Sequence, residues 1–179
     1  MAVPPIAKAT LQAALINAGS NVLAQGIKAY RDGIPFELDM QTLFQFTTCA
    51  FVSSPLIFLW VEALEKTFPG LNPPNEKEKK PKPNLNVKNV IFKIAIDQTV
   101  GAVWNTILFI STLGLLRGHS YEAISDQVRI DFWPMVTAGL KMWPLVSILN
   151  FTVVPVDKRL LVGSLFGVVW AVYLSLVSS

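Results

Sequence analysis

Apolar positions gather into long runs divided by short polar breaks, and the runs carry a helical period rather than the alternation of a strand. The first runs from about Pro4 to Tyr30. Pro4 and Pro5 suit a helix entry, and small residues such as Ala13, Ala14, Ala18 and Gly19 follow. It is the weakest run by hydropathy, and Asn17, Ser20 and Asn21 within it need a helical neighbour. Arg31-Asp32-Gly33-Ile34-Pro35 reads as a turn. The second run, about Asp39 to Lys66, is strongly apolar from Cys49 to Leu64, with Pro55 inside it. The third extends from Val87 to Leu116. A short stretch from Tyr121 to Ile130 then sets Ile124 and Val128 on one face, the pattern of an amphipathic helix lying at a membrane interface. The fourth run, about Asp131 to Val154, carries Lys141 and Pro144; the fifth, about Val156 to Val177, sets Gly163 and Gly167 four apart as a packing face. Each long run reaches the roughly 20 residues that cross a bilayer as a helix. The pattern predicts an all-α, polytopic helical membrane bundle with four to five membrane helices plus a short amphipathic interfacial helix, a single integral membrane domain over residues 1–179. Unbroken apolar runs of this length exclude a β-barrel.

Composition agrees with lipid as the solvent. Hydrophobic residues make up 52% of the 179 and charged ones 15%, against about 25% charged in a soluble domain. A chain of this length cannot hide so much apolar surface in one small core. The net charge of +3 bears on orientation. Lys77, Lys79, Lys80 and Lys82 crowd a proline-rich linker at about 71–85. A basic loop beside membrane spans sets their direction and can meet anionic headgroups. It follows no helix or strand face as a nucleic-acid interface would. With five spans, this linker, the N-terminus and Asp157-Lys158-Arg159 share the more basic side, which should face the cytosol or, in an inner mitochondrial membrane, the matrix.

Catalytic constellations are missing. Cys49 is the single cysteine and His119 the single histidine, so no disulfide and no Cys/His metal pair is available within the chain. Nucleophile-elbow, P-loop and dinucleotide motifs are absent, so neither an enzyme nor a cofactor is expected. The informative residues are polar ones inside apolar runs: Glu62, Lys93, Asp97, Gln98, Asn105, Lys141, Asn150 and Arg159. Ionisable groups at membrane depth are costly and face a partner or a watery cavity. Lys93 and Asp97 stand four apart and can pair on one helix face; Lys141 is expected to point inward, toward Asp97 or Glu62. Such groups either seal the interior as structural ion pairs or line a pore. Pro55 and Pro144 would kink their helices and supply hinges. Trp60 reads as an interface marker, and most of Trp133, Trp143, Trp170, Tyr121 and Tyr173 as interface anchors or core packing. The N-terminus shows no compact apolar signal region and no Arg-rich presequence, and the chain ends in no SKL-type signal.

The polar motifs also resemble a known family. Lys141-Met142-Trp143-Pro144, Asn150-Phe151, Val154-Pro155, Arg159, and Trp170 followed by Tyr173-Leu174-Ser175 look like the signature of the Mpv-seventeen/PMP-twenty-two family. Asp97-Gln98 with Ala102 resembles its DQ motif. Ser54-Pro55, Trp60 and Leu64 running into Phe68-Pro69-Gly70 resemble its GP…W…L…PG block, and Ala18-Gly19-Ser20-Asn21 through Gln25 its first block. Departures occur at Asn21, Phe58, Val103 and Ser147, where the family usually has Asp, His, Pro and Gln. The resemblance implies a four-span helical protein of peroxisomal or inner mitochondrial membranes. It implies a channel-like pore for small solutes or ions, with a role in metabolite flux and organelle homeostasis. The peroxisomal membrane is slightly preferred, and a homo-oligomer is a further expectation. The rival expectation is a non-conducting structural or adaptor protein.

Overall fold

The computed structural model describes residues 4–72 and 84–177, with side chains as far as Tyr173. Helix α1, Pro5–Asp32, opens on Pro4-Pro5, whose ring-fixed φ suits a first turn. It ends at Gly33, where φ of 66° is open to glycine and strained for other residues, and the Gly33 amide closes back on the Ala29 and Tyr30 carbonyls. Helix α2, Met40–Thr67, is capped by the Asp39 carboxylate, which accepts from the Thr42 amide at 3.0 Å. The polar residues that weaken α1 fasten this hairpin. The Gln25 side chain donates to the Asp39 carbonyl at 3.1 Å, accepts from the Asp39 amide at 2.8 Å and donates to Asn21 Oδ1 at 2.8 Å.

Helices α3 (Val87–Ile96) and α4 (Ala102–Leu116) form one continuous helix interrupted by a single wide turn, Asp97–Gly101, with π-type hydrogen bonds. Helix α5 is Tyr121–Gly139, α6 is Trp143–Thr152, and a 3₁₀ turn, Val156–Lys158, leads into α7, Arg159–Val177. α1 packs on α2 and α7, α4 on α5 and α2, and α3 on α6. Small residues allow the closest approaches. Ala9 and Ala13 of α1 meet Leu160, Ile57 and Phe58, and Gly114 of α4 sits so near Ile124 that a Cβ there would come within 2.8 Å of it. The surface is inverted relative to a soluble protein: Leu15, Phe44, Ile91, Leu145 and Val169 are exposed, while the largest fully buried side chain is that of Lys93.

The chain is thus an all-helical membrane protein. Among the described residues, α2 and the continuous α3–α4 helix are long and apolar enough to cross a membrane, and α5 with α6, bent by 57°, make up to one more span. The expected four to five are not all found among these residues; α1 carries polar residues along its length. The end of α7 lies beyond the described side chains.

Three expectations are corrected. The stretch from Tyr121 to Ile130 is not a separate interfacial helix: it is the first half of α5, which runs on without a break to Gly139. The fourth run is two helices. Its break falls at Leu140–Met142, and Pro144 does not kink a helix but stands in the first turn of α6, where its missing N–H costs nothing. Pro55, by contrast, does lie inside α2, with the Ser54 hydroxyl donating to the Ala50 carbonyl at 2.6 Å beside it. The lysine-rich linker has a clasped base, where Leu71 and Leu85 form an antiparallel bridge, the Asn72 amide donates to the Asn84 carbonyl and the Asn86 amide donates to the Gly70 carbonyl, each at 2.8 Å. Residues 73–83, which hold its lysines, lie outside the described residues.

Candidate functional site: a cavity beside Asp97

Helices α1, α2, α4, α5, α6 and α7 line an open-sided cavity of about 620 Å³. Its size falls within the roughly 300–1,000 Å³ of small-molecule sites. α1 contributes Asn17, Ser20 and Asn21, and the wide turn contributes Asp97 and Gln98. Ser147 and Asn150 come from α6. Four tryptophans, Trp60, Trp104, Trp143 and Trp170, are also part of the lining.

Asp97 is held by neutral donors. The Trp60 indole N–H donates to Oδ1 at 3.0 Å, the Ser147 hydroxyl to Oδ2 at 2.6 Å, and the Gln98 amide to Oδ2 at 3.2 Å. Gln98 also donates to Ser147 Oγ at 2.9 Å, so these side chains make a closed network. Gly101 leaves room for it: a Cβ there would lie 3.1 Å from Asp97 Oδ1 and 3.2 Å from Trp60 Nε1, tight enough that a neighbour would have to give by a few tenths of an ångström.

A second carboxylate, Glu65 near the end of α2, anchors a different cluster at the border of the cavity. Its Oε2 accepts from Lys93 Nζ and from Arg159 Nη1, both at 2.6 Å, and its Oε1 accepts from the Gly70 amide at 2.7 Å. Lys93 is 0% exposed and Arg159 6%. Both cations also stand near the Phe151 ring, whose centre is 5.3 Å from Lys93 Nζ and 5.2 Å from the Arg159 guanidinium carbon. Arg159 and Phe151 also line the cavity, so the cluster forms part of its wall.

Of the residues singled out from the sequence, Asp97, Gln98, Asn105, Asn150 and Arg159 line this cavity; Glu62, Lys93 and Lys141 do not. Lys93 pairs with Glu65 rather than with Asp97, because the wide turn begins at Asp97 and that carboxylate faces Trp60 and Ser147 instead. Glu62 pairs along its own helix with Lys66 at 3.0 Å, on the exposed side. Lys141 points toward neither Asp97 nor Glu62. It occupies the break between α5 and α6, is exposed, and donates to the Tyr173 hydroxyl at 3.3 Å with its ammonium 5.9 Å from the ring centre. Trp60, read from the sequence as an interface marker, donates its indole N–H to Asp97.

Glu65 escaped sequence reasoning. Glu62 and Glu65 stand three apart at the end of one helix, and composition does not separate them. The usable signal was Pro69-Gly70: a turn five residues on returns a backbone amide to Glu65, and Gly70 leaves room for Lys93, whose Nζ would be 2.8 Å from a Cβ at that position.

The model of the Mpv17 / PMP22 family matches residues 114–175. The chain is 30% identical over 176 residues to PXMP2/4 family protein 3 of Dictyostelium discoideum, covering 98% of this chain and 85% of that one. It is 27% identical over 186 residues to Protein sym1 of Schizosaccharomyces pombe, covering 96% and 84%. It is 26% identical over 133 residues to Protein SYM1 of Saccharomyces cerevisiae, covering 74% and 66%. No solved structure matches.

Proposed function

The chain belongs to the Mpv17 / PMP22 family, and from that premise we propose that it is a channel-like pore for small solutes in an organelle membrane, serving metabolite flux and organelle homeostasis. One observation carries the reading: a 620 Å³ cavity inside an apolar bundle, walled by Asp97, Gln98, Asn105 and Asn150. Polar groups at membrane depth are expensive, and a bundle that turns several of them toward a void has a use for a polar path. The Glu65 cluster borders that cavity, so the reading assigns it the role of a closed end. α1 and α7 are taken as membrane helices beside α2, α3–α4 and the bent α5–α6 pair, which gives four to five spans. The peroxisomal membrane is slightly preferred over the inner mitochondrial membrane, and self-assembly belongs to the same reading. A fluorescent fusion imaged against organelle markers checks the location.

The deciding experiment is single-channel recording from purified protein in planar bilayers. Discrete conductance steps absent from empty bilayers are expected. Their absence, together with failure of reconstituted liposomes to release a trapped neutral solute, overturns the reading.

A second reading, a non-conducting structural or adaptor protein, is favoured by the Glu65 cluster, in which one carboxylate is matched by two cations and a backbone amide. It predicts a purified protein that is folded and inserted but electrically silent, with Glu65→Ala lowering stability and creating no conductance.

A further inference from the structure

Asp97 is a carboxylate in an apolar bundle without a counter-cation. Its three donors, Trp60, Ser147 and Gln98, are uncharged, and no ion pair among the described residues includes it. An unmatched charge at membrane depth calls for an opposite charge to complete it. Asp97 is also within reach, being only partly buried and on the wall of the cavity. The two other charged residues of the lining, Lys28 and Arg159, do not complete it. Lys28 is exposed, where water screens it. Arg159 spends Nη1 on Glu65 and Nε on the Val154 carbonyl. The Glu65 cluster does carry one positive charge in excess, but Lys93 is 0% exposed and Arg159 6%, so it offers an entering anion little surface.

The rest of the wall selects the kind of cation. A metal ion gives up its water for a shell of oxygen ligands, and among the described residues no three His, Cys, Asp or Glu side chains gather to supply one. Three of the roughly four acceptor sites on the Asp97 carboxylate are taken, so a primary ammonium with three N–H donors is poorly matched there. What the wall offers in quantity is indole. Trp60, whose N–H holds Asp97, stands edge-on to Trp104 with ring centres 5.9 Å apart. Trp143 lies one turn before Ser147 on the same face of α6, and its ring centre is 6.2 Å from that of Trp170. All four indoles are partly exposed and border the cavity. Aromatic faces attract an ammonium whose charge is spread over alkyl groups, and the carboxylate beside them supplies the counter-charge.

We propose that the cavity is a binding site for an N-alkylated ammonium ion, of the class of tertiary and quaternary organic amines, with Asp97 as its counter-ion and the four lining tryptophans as its cage. The proposal deepens the pore reading by naming a solute class, and it rests on the same cavity.

The tryptophans supply the probe. Trp133 is 67% exposed and stands outside the lining, so Trp133→Phe leaves a protein whose four remaining tryptophans all border the cavity. The purified full chain carrying this change, in uncharged maltoside micelles where no headgroup competes, is titrated with choline at constant ionic strength. Three controls accompany it: potassium, pivalate, and the uncharged alcohol in which carbon replaces the choline nitrogen. Choline should change the tryptophan emission saturably, and the controls should give no saturable change. Adding Asp97→Asn should raise the choline midpoint roughly tenfold or more, the weight of the lost counter-charge. Adding Trp104→Leu instead, which keeps apolar contact and removes a ring face, should raise it roughly three- to tenfold. That variant keeps the test open if Asp97→Asn does not fold. The proposal is overturned if a folded Trp133→Phe protein shows no saturable response to choline, if a control saturates equally well, or if either folded variant leaves the midpoint unmoved. Single-channel recording separates the two readings. Saturable binding to a protein that never conducts removes the pore and keeps the site; conductance without saturable binding removes the site and keeps the pore.

Discussion

Glu65 and Asp97 are two carboxylates in one bundle, and their surroundings differ in kind. Glu65 accepts from two cations and a backbone amide, in a cluster where Lys93 is wholly buried. Asp97 accepts from an indole, a hydroxyl and an amide, all uncharged, on the wall of a cavity. Cations neutralise a carboxylate and allow the helices to close over it. Neutral donors orient a carboxylate and leave its charge for the space beside it. The first arrangement makes a structural joint, the second a polar surface, and the difference lies in the partners rather than in the acid.

Substitutions break this comparison at different depths. Glu65→Ala is expected to cost the most, about 3–5 kcal/mol, because it leaves buried Lys93 and Arg159 without their shared counter-ion. Equilibrium unfolding in mixed micelles measures it, and adding Lys93→Met should recover part of the loss. Asp97→Asn keeps an acceptor for Trp60 or Ser147, so about 1–2 kcal/mol is expected. Its main effect should appear in transport, as a changed reversal potential under a salt gradient. Equal losses of stability for the two acids would erase the distinction. Lys141→Ala removes a cation that rests on Tyr173 outside the cavity. It should cost only about 0.5–1 kcal/mol and leave the reversal potential where it was, whereas an effect as large as that of Asp97→Asn would return Lys141 to the solute path.

The smallest effect concerns a third acid, outside the spans. The Thr42 hydroxyl and amide hold the Asp39 carboxyl below the usual carboxylate range. With the folded value lowered, its contribution is complete above the ordinary carboxylate pKa and is lost as the pH falls through the folded value. The thermal midpoint of the parent should therefore drop toward that of Asp39→Asn on acidification and separate from it near neutrality. Parallel midpoints at both pH values would remove the cap from the account.

The helical class and the limits of the α3–α4 helix were legible because apolar period and length announce them: Val87 and Leu116 are where the hydropathy places them. Asp97, Gln98, Asn105 and Asn150 were legible as costly polar residues in apolar runs, and all four border the cavity. Pairing was not legible. A spacing of four predicted that Lys93 would meet Asp97 along one helix, but Lys93 instead reaches Glu65, 28 positions away. Contacts of that reach depend on how helices pack, which local spacing does not encode. Lys141 misled for a related reason: its run was read as one helix, and the break at Leu140–Met142 turns the lysine away from the interior. The polar face of α1 lowered its apparent fitness as a span, and Asn17, Ser20 and Asn21 on that helix are the residues it gives to the cavity.

The wide turn at Asp97–Gly101 has a consequence for how mutations in this chain should be scored. It stores one residue more than an α-helix of the same hydrogen-bonded length. Deleting a single amino acid there would leave a long apolar helix with nearly the same composition, and a hydropathy profile would register almost nothing. Yet each residue advances an α-helix by about 100° around its axis, so Trp104 and Asn105 would be re-phased relative to Lys93. The Glu65 joint and the cavity wall are assembled from the two sides of that turn, and an in-frame deletion would uncouple them. A silent-looking indel at this position is therefore predicted to be more damaging than many substitutions of buried apolar residues.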